Sequence, residues 1–505
     1  MSNQKSDVIY TEAVLQDREE KKQLVVDTIS SHCRLMESSS SSTDDLKWIK
    51  EALVQGDILV ADIVTGGWCN FSYRVYLKRN PEIQVYVKLA FPRALWDPNP
   101  DAYFDTQRIE KEFHMMKLYH HLNPGSVAIP YTCIDVDTMK LLITQWSPSD
   151  EQFANQFIDG VVDIRYVVIP CNRILILFTY CWHYESISTL SISLYSHRVI
   201  VKLAQGLAKL NSIKDFDPNY GSDVKEVLKG YMNLSGQSMI KSLFDADQVN
   251  MDQVSAFAKE LGLDTCLQFM EGYLLDIYKS ESLGHSDSHV FNILVEKKPD
   301  ISTLEHFGPN GSYALCDWEM AMSCSLGRDI GLLYAYPIAC IMAHAINGNN
   351  QFSIYILNCL DVLWTEYASA LIQIGEKTEM DLKNAYHTVL GQADIFLLFV
   401  YYFRGLQMEY LPLEGDTTLK SVRESLGYIG LFCLNLVFSQ EYSDVNIDVL
   451  QEKFNTFVRD EIGRKLPIRP SRPSMRSSLL RTSGRRVSDA AVFASIFTKL
   501  STVEN

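Results

Sequence analysis

The stretch that most constrains this chain runs from Leu283 to Gly331, because its polar residues stand in an order and spacing that suit one chemistry. It reads Leu283-Gly284-His285-Ser286-Asp287-Ser288-His289-Val290-Phe291-Asn292-Ile293-Leu294-Val295 and, after a polar excursion, Tyr313-Ala314-Leu315-Cys316-Asp317-Trp318-Glu319. Ile293 to Val295 and Tyr313 to Cys316 are apolar runs of strand length. The turn formers between them, Pro299 and Gly308 to Ser312, predict a hairpin. Asn292 then leads into one strand and Asp317 leaves the other, so Asp287, Asn292, Asp317 and Glu319 are expected around one mouth.

Phosphoryl transfer from a nucleotide needs an acceptor for the proton of the attacking hydroxyl, and oxygen ligands for magnesium that bridges the phosphates. Asp287 suits the first task. Asn292 and Asp317 suit the second, with Glu319 for a second ion. A solvated turn rich in His, Asp and Ser is the plain alternative. His285 and His289 stand four apart, as zinc ligands on a helix do. Ser286, however, stands where a zinc protease needs Glu, and the flank reads as strand, so His285 is expected to buttress the loop. The order His285-x-Asp287-x-x-x-x-Asn292, Asp317-x-Glu319, Gly327-Arg328-Asp329-Ile330-Gly331 resembles the catalytic segment of the aminoglycoside phosphotransferase and choline kinase superfamily. That resemblance implies an α+β, protein kinase-like fold of two lobes, a small antiparallel-sheet N-lobe and a mainly helical C-lobe. It also implies ATP and Mg2+ as cofactors.

The rest of the chain falls into a matching plan: an N-terminal extension with a serine-rich linker at 1–45, an N-lobe at 46–147, a C-lobe at 148–462 and a basic, disordered tail at 463–505. Alternating apolar residues from Ile58 predict three strands, with Gly66-Gly67 between the first two. That pair lets backbone amides approach phosphates, or simply closes a hairpin. Lys88 interrupts the apolar third strand, where a charge is costly without a partner; a nucleotide phosphate is a suitable one, and an edge strand facing water is the alternative. In the helix from Tyr103 to His121, Glu110 is the expected partner of Lys88 and Glu112 the alternative. Ile129 to Ile134 and Leu141 to Gln145 complete the sheet, and Trp146-Ser147-Pro148 reads as a hinge.

Val87-Lys88-Leu89-Ala90-Phe91-Pro92, Trp96 to Pro98, Arg108-Ile109-Glu110 and Ile129-Pro130 through Met139 resemble the N-lobe of methylthioribose kinase. By that resemblance the backbone at Gln145 and Ser147 meets adenine, and the acceptor is a sugar-like alcohol. The chain departs from the family in four places, the last of them at Phe403-Arg404. Thr65 to Asn70 lacks an acidic residue, Ser286 replaces a glycine, and Asn292 matches the choline and aminoglycoside relatives. An amino-alcohol acceptor and a nucleotide-binding pseudokinase therefore stay open. The family's arginine pair becomes Phe403-Arg404 here, which makes Arg404 the expected contact to substrate and phosphate; capping of its own helix end or pairing with Glu409 at the surface is the alternative.

A net charge of −16 over 505 residues gives no overall cationic field to collect nucleic-acid phosphates, so a small-molecule alcohol is the expected partner. Eleven cysteines without a Cys-x-x-Cys pair, behind a polar start, point to reduced thiols and a cytoplasmic location. The apolar runs Val161 to Trp182, Gly331 to Ile346 and Ile395 to Phe403 are short or interrupted by Arg or Pro, so no membrane segment is predicted. Phe157 to Trp182 reads as an extended insertion, and Leu190 to Ile213 and Val254 to Tyr278 read as amphipathic helices. Further helices are expected near 332–346, 352–375, 379–404 and 417–439. Arg464 to Ser488 holds eight basic residues and no acidic one. Such a segment buries no core, and its Arg485-Arg486-Val487-Ser488 suits a protein kinase or another protein partner acting on the tail.

Overall fold

In the computed structural model the described residues are 12–35, 46–64, 70–92, 105–146, 150–158, 197–231, 236–245, 252–296, 313–375, 377–411, 413, 416–442 and 445–465. The first of them form α1 (Glu12–Leu35), α2 (Lys47–Val54), β1 (Leu59–Val64), β2 (Asn70–Leu77), β3 (Asn80–Ala90), α3 (Gln107–Leu122), β4 (Pro130–Val136) and β5 (Met139–Gln145). The strands make one antiparallel sheet in the order β1-β2-β3-β5-β4, with Lys88 of β3 opposite Ser72 of β2 and Leu142 of β5. Because side chains alternate across a strand, Phe71, Tyr73, Val75, Leu77, Val85, Val87, Leu89, Leu141 and Ile143 share one buried face. Asn70, Ser72, Arg74, Tyr86 and Lys88 fall on the other.

That buried face is covered by α1, whose Val25, Ile29 and Cys33 are fully enclosed with it. Residues 12–35 therefore belong to the N-lobe core, and the lobe does not start at position 46. Charges from Asp17 to Lys22 hide an i, i+4, i+8 apolar stripe, which is the spacing of one helical face.

The larger lobe begins with β6 (Asp150–Gln152) and α4 (Phe153–Ile158) and continues through α5 (His197–Asn211), α6 (Ser222–Tyr231), α7 (Gln237–Asp245), α8 (Gln253–Leu261) and α9 (Leu263–Ile277). Then come β7 (Ser282–Gly284), β8 (Ile293–Glu296), β9 (Tyr313–Leu315) and β10 (Met322–Cys324). The lobe closes with α10 (Arg328–Ile346), α11 (Asn350–Gly375), α12 (Glu379–Asp394), a π-helical segment Ile395–Phe403, α13 (Asp416–Phe438) and α14 (Ile447–Lys465). The expected α+β arrangement of a small antiparallel sheet and a mainly helical lobe is present. Strands β8 and β9 pair antiparallel, Ile293 with Leu315, as the hairpin reading requires. β6 adds a third strand that the sequence did not signal.

Two helices differ from expectation. Val254 to Tyr278 breaks at Gly262, whose φ of +90° ends α8, and the run 379–404 widens into π geometry after Asp394. α10 is long and apolar enough to cross a membrane, yet Arg328 through Ala345 are all buried inside the protein. The serine run, Gly66 and Gly67, Ser147, residues 159–196 and everything from 466 on lie outside the described residues, so the predictions made for them rest on sequence alone. Phe157, expected in an extended insertion, instead sits in α4.

Candidate active site

The loop between β7 and β8 is held from below by the first turn of α10. Asp329 there accepts hydrogen bonds from the His285 N–H at 3.0 Å, the Ser286 N–H at 2.7 Å and the Ser288 hydroxyl at 3.3 Å, and Asn211 of α5 donates to it at 3.4 Å. These bonds fix the backbone on either side of Asp287. His285 adds a brace: it bonds the Cys316 carbonyl through Nε2 at 2.9 Å, while its Nδ1 accepts the Asp287 N–H at 3.2 Å. The pair of partners selects the Nε2–H tautomer, and burial holds the ring below its ordinary pKa, hence neutral. Both nitrogens are engaged, so His285 buttresses the loop and is not a zinc ligand. Burial pushes His289 down to about 4, and it too is neutral near pH 7.

Asp287 itself is half-buried. Asn292 Nδ2 donates to its Oδ2 at 3.0 Å and to its carbonyl at 2.9 Å, and His289 Nε2 lies 3.6 Å from Oδ1. Burial, then the carboxylates of Asp317 and Glu319, push its pKa well above the usual range, against the pull of Asn292. A carboxylate raised in this way is a better proton acceptor near neutrality than an ordinary aspartate. Since Asn292 turns its amide nitrogen to Asp287, its Oδ1 is the atom left to meet a cation.

Asp317 follows β9 at φ +66°, a left-handed conformation that aspartate tolerates better than most residues. It is ion-paired with Lys88. Burial opposes its charge, but Lys88 outweighs burial and holds its carboxyl below the usual value. Lys88 also donates to Glu112 Oε2 at 2.8 Å and stands 4.0 Å from Glu319. Burial alone would discharge the ammonium; Asp317, Glu112 and Glu319 together hold its pKa well above normal. Burial and the carboxylates of Asp317 and Glu319 push Glu112 upward, against Lys88.

Here one expectation is corrected. The helix partner of Lys88 is Glu112, and Glu110 instead pairs with Lys140 of β5 at 3.0 Å. Residues two apart on a helix point about 200° apart, so only one of them can face the sheet's lysine; the buried one does.

The remaining candidates are placed as follows. Glu319 is buried, accepting from Arg108 Nε at 3.1 Å and Asn70 Nδ2 at 3.0 Å. Arg108 and Asn70 went unnoticed as site residues. The signal for Arg108 was its spacing, four residues before Glu112 and hence on the same helical face. Gln145 ends β5 with its side chain exposed and its N–H bonded to the Ile129 carbonyl at 2.8 Å. Arg404 is exposed and caps the end of the π segment, its N–H bonding the Tyr401 carbonyl, while Arg423 Nε donates to the Tyr402 carbonyl at 3.1 Å. Gly66, Gly67 and Ser147 are outside the described residues.

Asp317 and Asn292 offer one carboxylate and one amide oxygen, donors that fit magnesium as a hard cation. Glu319 offers an oxygen within 4.8 Å of those of Glu112 and Asp317, and its Oε2 is bonded to Arg108.

No protein-family model and no curated protein matches the chain. Solved structures that superpose on it include an aminoglycoside-3'-phosphotransferase of type VIII, at 13% identity, 66% of this chain, 93% of that one and a TM-score of 0.33. Another is a protein described as a fructosamine-3-kinase from Haemophilus somnus, at 10% identity, 75% of this chain, 95% of that one and a TM-score of 0.31. Superpositions this loose carry no argument about function.

Proposed function

We propose that this chain is an ATP-dependent phosphotransferase whose acceptor is an alcohol group of a small molecule. The observation that supports it most is the meeting of Lys88, Glu112 and Asp317 beside Asp287 and Asn292, which brings together one ammonium, its helix carboxylate, a cation ligand and a proton acceptor. Asp287 takes the proton of the acceptor hydroxyl. Lys88, kept charged and in place by Glu112, turns to the nucleotide phosphates. Magnesium held by Asp317 and Asn292 would neutralise phosphate charge.

The motif order favours a sugar-like acceptor, in the manner of methylthioribose kinase. An amino-alcohol acceptor stands beside it, because Asn292 matches the choline and aminoglycoside relatives.

The test is ATP consumption across methylthioribose, other pentoses, choline and aminoglycosides. On the best acceptor, Asp287→Asn is expected to lower turnover by roughly 10²–10⁴-fold, the worth of a positioned general base, while nucleotide binding survives. Turnover within a few-fold of wild type removes Asp287 as the base. ATP binding without consumption on any acceptor favours a pseudokinase.

A further inference from the structure

Asp317-x-Glu319 invites both carboxylates to be read as cation ligands, and Glu112, Asp317 and Glu319 do present oxygens within 4.8 Å of one another. Their surroundings differ. Asp317 is half-exposed, and its partner Lys88 is a flexible point charge. Glu319 is enclosed: Arg108 Nε and Asn70 Nδ2 both donate to its Oε2, at 3.1 and 3.0 Å, and Arg108 Nη2 closes the ring by donating to Asn70 Oδ1 at 2.8 Å. None of the three is more than 5% exposed. Arg108 Nη1 is further tied to the carbonyls of Phe91 at 3.2 Å and Asp105 at 2.7 Å. A guanidinium anchored on four residues does not swing aside as an ammonium does, and removing its carboxylate would leave a buried charge uncompensated.

We infer that Glu319 is the C-lobe half of a clasp, and that with Arg108 and Asn70 it acts as a positioning residue, leaving the cation to Asp317 and Asn292. Asn70 is the first residue of β2, Arg108 lies on α3 beside Glu112, and Glu319 stands two residues past Asp317. The ring thus ties the start of β2, the helix that orients Lys88 and the cation loop into one unit. The clasp stands on geometry alone; its positioning role rests on the phosphotransferase reading.

Three measurements separate these. The first is a melting cycle of Arg108→Met, Glu319→Gln and the double variant. Once either partner is gone, removing the second costs little, so the double variant is expected to lose less than the sum of the single losses. Additive losses overturn the clasp. The second counts Mn2+ by electron paramagnetic resonance in the presence of ADP. Asp317→Asn is expected to lose the ion that wild type binds, and Glu319→Gln to keep it; loss in Glu319→Gln as complete as in Asp317→Asn overturns the assignment. Asn70→Ala, a milder change should the others fold poorly, is expected to weaken ADP binding several-fold at an unchanged Mn2+ count. Unchanged ADP affinity overturns the positioning role. Wild type that binds neither ADP nor Mn2+ sinks the phosphotransferase reading and the positioning role with it, while the melting cycle still decides the clasp.

Discussion

Ser286 stands at φ +64° and, like Asp317, is a non-glycine residue in left-handed backbone at the candidate site. Such strain persists only where surroundings over-determine it, and here the Ser286 N–H is locked on Asp329 at 2.7 Å. The side chain therefore sits where glycine would be unstrained. Ser286→Gly is expected to stabilise the protein by about 1 kcal/mol, the lower end of the left-handed penalty, partly offset by the freer unfolded chain; a melting curve measures it. A lower melting temperature would mean that the Ser286 side chain contributes more than its backbone costs. Asp394 poses the opposite problem, a carboxyl fully buried at the junction of α12 and the π segment, with no hydrogen-bond partner for either oxygen among the described residues. Burial raises its pKa well above 3.8. A raised acid favours the folded state below its unfolded pKa, and that contribution is lost as pH rises towards the folded value. Asp394→Asn removes the titration, so its melting temperature relative to wild type should climb as pH increases above about 4, the unfolded pKa of aspartate. A constant difference from pH 4 to 8 would show that Asp394 does not titrate in this way.

Among elements, α1 is the one whose role the sequence concealed. Its inner stripe closes the outer face of the sheet, and Tyr73 of β2 donates to the Arg18 carbonyl at 3.0 Å, so helix and sheet are joined by packing and by a hydrogen bond. Ile29→Ala is expected to cost about 2–5 kcal/mol, the usual range for truncating a buried Ile, read from denaturant midpoints; a change under about 0.5 kcal/mol, ordinary for a surface site, would mean that α1 does not dock. The five sheet strands were legible because a half-buried sheet writes its period of two into the sequence, and the β8–β9 hairpin because Pro and Gly mark its turn. The candidate site residues Asp287, Asn292 and Asp317 were legible as a group because the chemistry proposed for them restricts residue type and order together. What stayed hidden depends on directions in space. Whether Glu110 or Glu112 meets Lys88 is a matter of helix phase against a strand, the ring of Arg108, Asn70 and Glu319 joins positions up to 249 apart in sequence, and the π widening after Asp394 leaves the apolar pattern unchanged.

At the scale of the whole molecule, the two lobes are joined through charges of two kinds. Arg108 with Glu319 is almost wholly removed from water, both side chains at 5% exposure or less, and Lys88, itself buried, reaches across to Asp317. Lys111 of α3 and Asp223 of α6 make a third cross-lobe pair at 2.6 Å, with Asp223 half-exposed. Salt reaches these unequally, since mobile ions screen surface charges and leave buried pairs nearly untouched. An exposed pair such as Lys111–Asp223 contributes about 0–1 kcal/mol at most. Against that small loss stands the net charge of −16, whose mutual repulsion favours expanded states and is relieved as the screening length falls from about 30 Å at 0.01 M to about 8 Å at 0.15 M. If lobe cohesion rests on the buried pairs and on apolar packing, added NaCl should raise the melting temperature across that range, and Lys111→Ala should melt close to wild type at every salt concentration. A melting temperature that falls with salt, and falls less in Lys111→Ala, would place the cohesion of the lobes in their exposed ion pairs instead.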